Sequence, residues 1–158
     1  MGVASFPQGH PRALNLEQDS ANLIAKLRAG AEYSITQMFF DVDDYLRLRD
    51  RVHRADPELG SRPIIPGIMP ITSLRTVRRQ VELSGSQIPA PLLERLTEAA
   101  GTAPEENRDE VRKMGIELAT EMSTRLLAEG VPCLHFCTLN FAKATGEVLA
   151  NLGVTVPA

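Results

Sequence analysis

The sequence predicts an α/β protein with parallel strands, and three observations carry that prediction. Short apolar runs alternate with longer amphipathic runs along the whole chain. The short runs are apolar on both faces, as strands are when helices cover one side and a core fills the other. The long runs open at capping residues and close at glycines. Strand–helix alternation calls for parallel pairing through right-handed crossovers. Both a doubly wound sheet and part of a TIM barrel satisfy this pattern, and periodicity does not choose between them.

Each element has its own signal. Gly2 to Phe6 reads as a short strand. Asn15-Leu16-Glu17-Gln18 reads as an N-cap with a glutamine three positions on. Leu16, Ala21, Leu23 and Leu27 supply that helix with an apolar stripe, and Gly30 is its stop. Tyr33 to Phe40 reads as a second strand. Asp41 caps the next helix, whose apolar positions include Val42, Tyr45, Leu46 and Leu48, with Asp43 and Asp44 as first-turn charges. Arg62 to Met69 is a third strand with two internal prolines. Proline lacks a ladder donor, so Pro66-Gly67 implies a bulge or a backbone lying close to a ligand. Thr72 or Ser73 starts a helix ending near Ser84, and Pro89 to Ala100 forms another. Pro104-Glu105-Glu106 opens a long helix that ends before Gly130. Cys133 to Thr138 is the fourth strand. Asn140 caps the last helix and Gly153 ends it. Residues 1–158 read as one domain, without repeat or linker.

Composition narrows the function. The chain has 158 residues, 43% apolar and 23% charged, with a formal charge of -3. That is enough for one domain with a core, and it offers no basic field for nucleic acid. No apolar run reaches the roughly 20 residues that cross a bilayer. Met1 to Pro7 has neither a positive region nor a long apolar core, so no secretory signal is expected. Cys133 and Cys137 on one strand would lie about 13 Å apart, beyond the roughly 7 Å that a disulfide spans. Buried, reduced thiols in a cytoplasmic protein are expected.

Several chemistries find no support. Pro7-Gln8-Gly9-His10-Pro11 is no dinucleotide-binding glycine fingerprint. There is no nucleophile elbow, and His10, His53 and His135 lack metal-ligand spacing. In a barrel, the working groups would sit at the C-terminal strand ends. His10 there reads as a solvated loop histidine or a polar ligand contact. His53 reads as surface and His135 as a core histidine. Gln37 ends an apolar strand and offers both a donor and an acceptor. Lys26 reads as a helix-end dipole contact or a phosphate ligand. Arg75, Arg78 and Arg79 read as a solvated face.

A resemblance then becomes specific. Ala4-Ser5-Phe6-Pro7-Gln8-Gly9-His10-Pro11, Lys26-Leu27-Arg28-Ala29-Gly30-Ala31, Ile35-Thr36-Gln37-Met38-Phe39-Phe40-Asp41, Ile65-Pro66-Gly67-Ile68-Met69-Pro70 and Leu134-His135-Phe136-Cys137-Thr138-Leu139-Asn140 resemble, in order, segments of methylenetetrahydrofolate reductases. That family's fold is an eight-stranded TIM barrel holding FAD. NADH or NADPH passes hydride to the flavin, which passes it to 5,10-methylenetetrahydrofolate, giving 5-methyltetrahydrofolate for methionine synthesis. The resemblance implies a half-barrel here, covering about the last four β/α units. It places Phe6 beside the FAD, and His10, Asp19, Asn22 and Lys26 at flavin contacts, with Lys26 toward the pyrophosphate. It places Gln37 and Tyr45 at folate contacts. No catalytic residue falls in this chain, because the family's glutamate acid belongs to the first four strands. Phe141 stands where the family has an arginine that contacts folate. Thr76 and Gln80 replace a glutamine and a phenylalanine near the substrate. Open sheet edges imply self-association, a separate N-terminal half or a truncated product. The competing readings are a non-catalytic half-barrel that binds flavin, folate or another chain, and a reductase that works without flavin.

Overall fold

The computed structural model describes residues 1–154, apart from 103, 105 and 106. The expected opening of a helix at Glu105 and Glu106 lies outside the described residues. Strands β1 (Gly2–Ser5), β2 (Tyr33–Thr36) and β3 (Ile64–Ile65) form one parallel sheet in the order β1-β2-β3. Strands β4 (Gly67–Ile68) and β5 (His135–Phe136) form a second parallel pair. Pro66 alone separates β3 from β4. Lacking an N–H, it donates to neither neighbour, and its carbonyl accepts from His135 N at 3.0 Å. Gly67 N turns instead to the Thr36 hydroxyl at 2.8 Å. A Cβ on Gly67 would meet the Thr36 carbonyl oxygen at 2.4 Å, so only glycine allows this approach. The expected irregularity at Pro66-Gly67 is therefore a break in the ladder, closed by Thr36.

Neighbours in sequence are neighbours in the row of strands. A doubly wound sheet reverses its order at a switch point, and no reversal occurs here. The arrangement of parallel strands and helices is consistent with a TIM-barrel-type fold.

The crossovers follow their local signals. α1 (Leu16–Arg28) is capped by Asn15, whose side chain accepts from Gln18 N at 2.8 Å, while Gln18 Oε1 accepts from Leu14 N at 2.8 Å. Leu23, Ile24 and Leu27 are its buried face. Gly30, at φ 111°, reverses the chain after it. Arg62, just before β3, donates to the carbonyls of Leu27 (2.7 Å) and Ala31, satisfying orphan acceptors at that helix end. α2 (Val42–Ala55) is capped by Asp41 and buries Val42, Tyr45, Leu48 and Val52. α3 (Leu74–Ser84) is capped by Ser73, which accepts from Thr76 N at 3.1 Å. α4 (Ala90–Ala100), α5 (Arg108–Ala128) and α6 (Ala142–Asn151) complete the helices.

Two apolar clusters result. One packs α1, α2, the second half of α5 and α6 around Phe39, Ile64 and Ile68. The other packs α3, α4 and the start of α5 around Met38, Phe40, Met69 and Ile71. α5 reaches the second cluster through Gly115, where a Cβ would lie 2.0 Å from the Ile71 carbonyl oxygen.

Some expectations are corrected. The second strand is regular only over Tyr33–Thr36, because Met38 to Phe40 leave the ladder to serve two cores. The fourth bonds only over His135–Phe136. Its outer residues are not core: His135 and Cys133 are exposed, and Cys137 is half-buried. Asn140 does not cap the last helix. It adopts φ 65°, Phe141 takes the cap position, and the helix starts at Ala142.

Candidate functional site

Parallel strands bring every C-terminal strand end to one side, so residues far apart in sequence share it. After β1 the chain turns through Phe6 to His10. The half-buried Phe6 ring meets the His10 ring edge-on, with centroids 4.6 Å apart. His10 Nδ1 accepts from Arg12 N at 3.0 Å, which leaves Nε2 as the donor of a neutral imidazole. After β2, Gln37 extends the pairing by donating its backbone N–H to the Ser5 carbonyl at 2.8 Å. Its Oε1 accepts from Met38 N at 2.9 Å, so the amide N–H₂ is the end turned outward. Phe6, Gln37 and the Ser84–Ser86 turn line a crevice of about 10 Å³.

Gln8 holds this region together. Its amide donates to Asp44 at 2.9 Å and to the Gln87 carbonyl at 3.2 Å, and accepts from Gln87 N at 2.7 Å. Asp44 is thus more than a first-turn charge, and Asp43 likewise pairs with Arg125.

The expected flavin contacts on α1 divide. Lys26 is exposed and donates to the Ala4 carbonyl at 3.1 Å. That carbonyl faces away from β2, since Met1 and Ser5 supply the acceptors on the β2 side. Lys26 therefore lies along the side of β1 away from β2. Asn22 is exposed on the same helix. Asp19 is buried at the seam with α2, where it opposes the Arg51 guanidinium. Burial pushes the Arg51 pKa down, and Asp19 acts against that shift. Tyr45 stands apart from the strand ends. It is 2% exposed, stacks on Phe39 at 6.0 Å, and donates its hydroxyl to the Ile64 carbonyl at 2.9 Å. As placed here, it is a core residue.

A larger concavity lies at the ends of β4 and β5. It has a volume of about 380 Å³ and is walled by the segments after both strands and by the first turns of α5 and α6. Arg108, Arg112 and Lys143 give it positive charge, Asp109 one negative charge, and Leu139 and Phe141 an apolar side. Arg112 is fixed by Glu147 at 2.7 Å, and that pairing holds the Glu147 carboxyl below its usual range. Thr145, in the same wall, has a buried hydroxyl with no partner among the described residues. None of the three cations was read as a site residue from sequence. The available signal was the i, i+4 spacing of Arg108 and Arg112 at a helix start. Among the described residues, no group of three His, Cys, Asp or Glu is placed to hold a metal, and no helix is long and apolar enough to cross a membrane.

A family model described as methylenetetrahydrofolate reductase matches residues 1–153. The chain belongs to that family. Methylenetetrahydrofolate reductase 1 of Schizosaccharomyces pombe is 36% identical over 98% of this chain and 24% of its own length. The 5,10-methylenetetrahydrofolate reductase of Escherichia coli is also 36% identical, over 98% of this chain and 49% of its own. Methylenetetrahydrofolate reductase (NADH) 1 of Zea mays is 35% identical over 96% of this chain and 26% of its own. The chain thus spans about half the length of the bacterial relative and about a quarter of the other two. Among solved structures, an uncharacterized Clostridium thermocellum protein that binds two copies of 5-methyl-5,6,7,8-tetrahydrofolic acid superimposes with TM-score 0.66. It is 19% identical, over 95% of this chain and 51% of that one, and so speaks to the fold.

Proposed function

We propose that these residues form the C-terminal half of a methylenetetrahydrofolate reductase barrel, which reduces 5,10-methylenetetrahydrofolate to 5-methyltetrahydrofolate with NADH or NADPH through FAD, in the cytoplasm. The observation that carries this reading is the convergence of Phe6, His10 and Gln37 at the ends of two adjacent parallel strands. It joins family membership to a place where ligands bind in α/β barrels.

The residues present fit one wall of a flavin site. The enclosed crevice is only about 10 Å³, so they do not make a closed pocket by themselves. Phe6 offers an aromatic surface, His10 a donor and Lys26 a positive charge suited to a pyrophosphate. Asp19 and Asn22, one helical turn apart, complete the set on α1. When bound, FAD supplies the hydride-carrying ring, and the protein's task is to orient and tune it. Gln37 spends its carbonyl on Met38 N, so its N–H₂ is the group left to orient a folate or nicotinamide. Tyr45 supports that strand end through Phe39. The acid comes from the other half of the barrel, which this chain does not contain.

The test is the visible spectrum of the purified chain after incubation with FAD and desalting. The expected result is retained flavin, bleached by NADH or NADPH, with reoxidation by 5,10-methylenetetrahydrofolate once the acid-bearing N-terminal half is added. Gln37→Ala should retain flavin but lose about 10-fold or more in the folate step, as for a lost hydrogen bond to a bound group. A colourless chain that still oxidises NADH with methylenetetrahydrofolate would point to the flavin-free reductase instead. A colourless, inactive chain would leave the non-catalytic half-barrel.

A further inference from the structure

The loop after β1 carries Phe6 and His10. Its own backbone bonds, from Gly9 N to the Phe6 carbonyl at 3.0 Å and from Ala13 N to the His10 carbonyl at 2.9 Å, shape its turns but do not dock them on the protein. A distant segment does that: the turn at 84–87, between α3 and α4. Gln8 spends both amide donors and its carbonyl on the contact. Nε2 donates to Asp44 at 2.9 Å and to the Gln87 carbonyl at 3.2 Å, while Oε1 accepts from Gln87 N at 2.7 Å. Gly85 adopts φ 72°, and a Cβ there would meet Pro11 Cγ at 2.4 Å, so the turn also lies close against the far end of the loop. Buried Ser86 donates its hydroxyl to the Met38 carbonyl at 3.0 Å, beside Gln37. Ser86 N donates to the Ser84 hydroxyl at 3.1 Å, which holds the turn in shape. One short turn of the long crossover thus braces both strand ends that the flavin and folate readings use.

We propose that Gln8 is a positioning residue for the flavin: it ties the loop bearing Phe6 and His10 to the start of α2 and to the 84–87 turn, and makes that turn part of the flavin wall. The proposal rests on the flavin reading and names the side chain that sets its geometry. Gln8 acts through the two rings, which stand two positions to either side of it and meet edge-on. An amide suits the place because it must give protons to Asp44 and to a carbonyl and take one from an N–H. Its partners lie 36 and 79 residues away in the chain, so the brace exists only when α2 and the long crossover are packed.

The experiment compares the natural chain with Gln8→Ala, which removes all three bonds, and with Gln8→Glu/Asp44→Asn, which reverses the donor and acceptor between positions 8 and 44 and leaves an acceptor for Gln87 N. Two quantities are read: amide hydrogen exchange without ligand, and the FAD dissociation constant from quenching of flavin fluorescence. In Gln8→Ala, exchange at Gly9 and Gln87 should quicken about 10-fold while Ser34 and Gln37, bonded in the sheet, stay unchanged. FAD should bind about 10-fold more weakly. The double variant should recover most of both effects. A merely structural role would speed exchange throughout and leave the FAD constant of the folded chain as it was, and that result would overturn the proposal. So would unchanged exchange at Gln87, or a double variant no better than Gln8→Ala. If the natural chain binds no FAD, the flavin reading fails, and the exchange pattern alone decides whether Gln8 docks the loop. If FAD binds equally well to all three chains, the flavin reading stands and the positioning role fails.

Discussion

The first two crossovers and the third solve the same problem differently. β1 to β2 and β2 to β3 are each joined through one α-helix, with ladders of four and two residue pairs. β4 to β5 is joined through three helices, and its ladder holds two pairs. In the short crossovers, one helix face packs into the first apolar cluster. In the long one, α3, α4 and the start of α5 bury their faces largely on one another and build a second apolar cluster. The strand ends reflect this. At the ends of β1 and β2 the crevice is about 10 Å³, whereas at the ends of β4 and β5 the cavity is about 380 Å³. The long crossover thus contributes walls to the larger space at the strand ends.

The sharpest way to break this contrast is Gly115→Ala. A methyl group there would lie 2.0 Å from the Ile71 carbonyl oxygen, so α5 must move off the second cluster. The expected cost is about 3 kcal/mol, the upper end of the usual range for overpacking. A shifted urea midpoint at unchanged slope would register it, and an unshifted midpoint would show that α5 is not docked this closely.

Leu48→Ala and Leu96→Ala compare the two clusters directly. Both leucines are 0% exposed, one in each cluster. Each substitution should cost about 3 kcal/mol. If the clusters fold as one unit, both variants shift a single transition that fluorescence-independent probes such as far-ultraviolet dichroism and amide exchange report alike. Two separated transitions in Leu96→Ala alone would mean that the long crossover unfolds by itself.

Tyr45→Phe probes the short-crossover side more gently. Removing the hydroxyl leaves the Ile64 carbonyl without that donor, at a cost of about 1 kcal/mol near neutral pH. Burial pushes the Tyr45 pKa up, with Arg49 opposing. The native chain therefore keeps this proton where the unfolded chain releases it. The stability so gained is whole below the ordinary tyrosine value of about 10 and is lost as pH climbs through the raised native value. Between those two values stability should fall more steeply with pH for the natural chain than for Tyr45→Phe. Parallel curves would rule out Tyr45 as the titrating group.

The smallest effect concerns the thiols. Cys133 is exposed, while Cys137 is half-buried and burial raises its pKa, which disfavours the thiolate. Iodoacetamide should modify Cys133 well before Cys137, as peptide mass mapping would read. Equal rates would mean that the β5 end opens freely.

Where the chain's local chemistry decides the outcome, sequence sufficed. Asn15, Asp41 and Ser73 cap helices because their side chains bond N–H groups two or three residues away. Gly30 stops a helix through its own backbone freedom. The family motifs likewise lie in contiguous stretches, so membership and the placing of Phe6, His10 and Gln37 at strand ends were legible. Ladder lengths were not, because pairing depends on what the neighbouring strand offers. Met38 to Phe40 look like strand but are drawn off by two cores, and Cys133 and His135 look buried but are exposed on and beside the outer strand of the row. The role of Tyr45 was also undecidable locally, since its hydroxyl partner is 19 residues away.

Short-range hydrogen bonding and hydrophobic period thus set the elements, their order and their parallel sense. Tertiary structure alone decided that Pro66 divides one strand between two ladders, that Thr36 answers the freed Gly67 N–H, and that Arg108, Arg112 and Lys143 surround one cavity. The reason is distance along the chain. Arg108 and Lys143 stand on different helices, and only the long crossover's return to the sheet brings the two helix starts together.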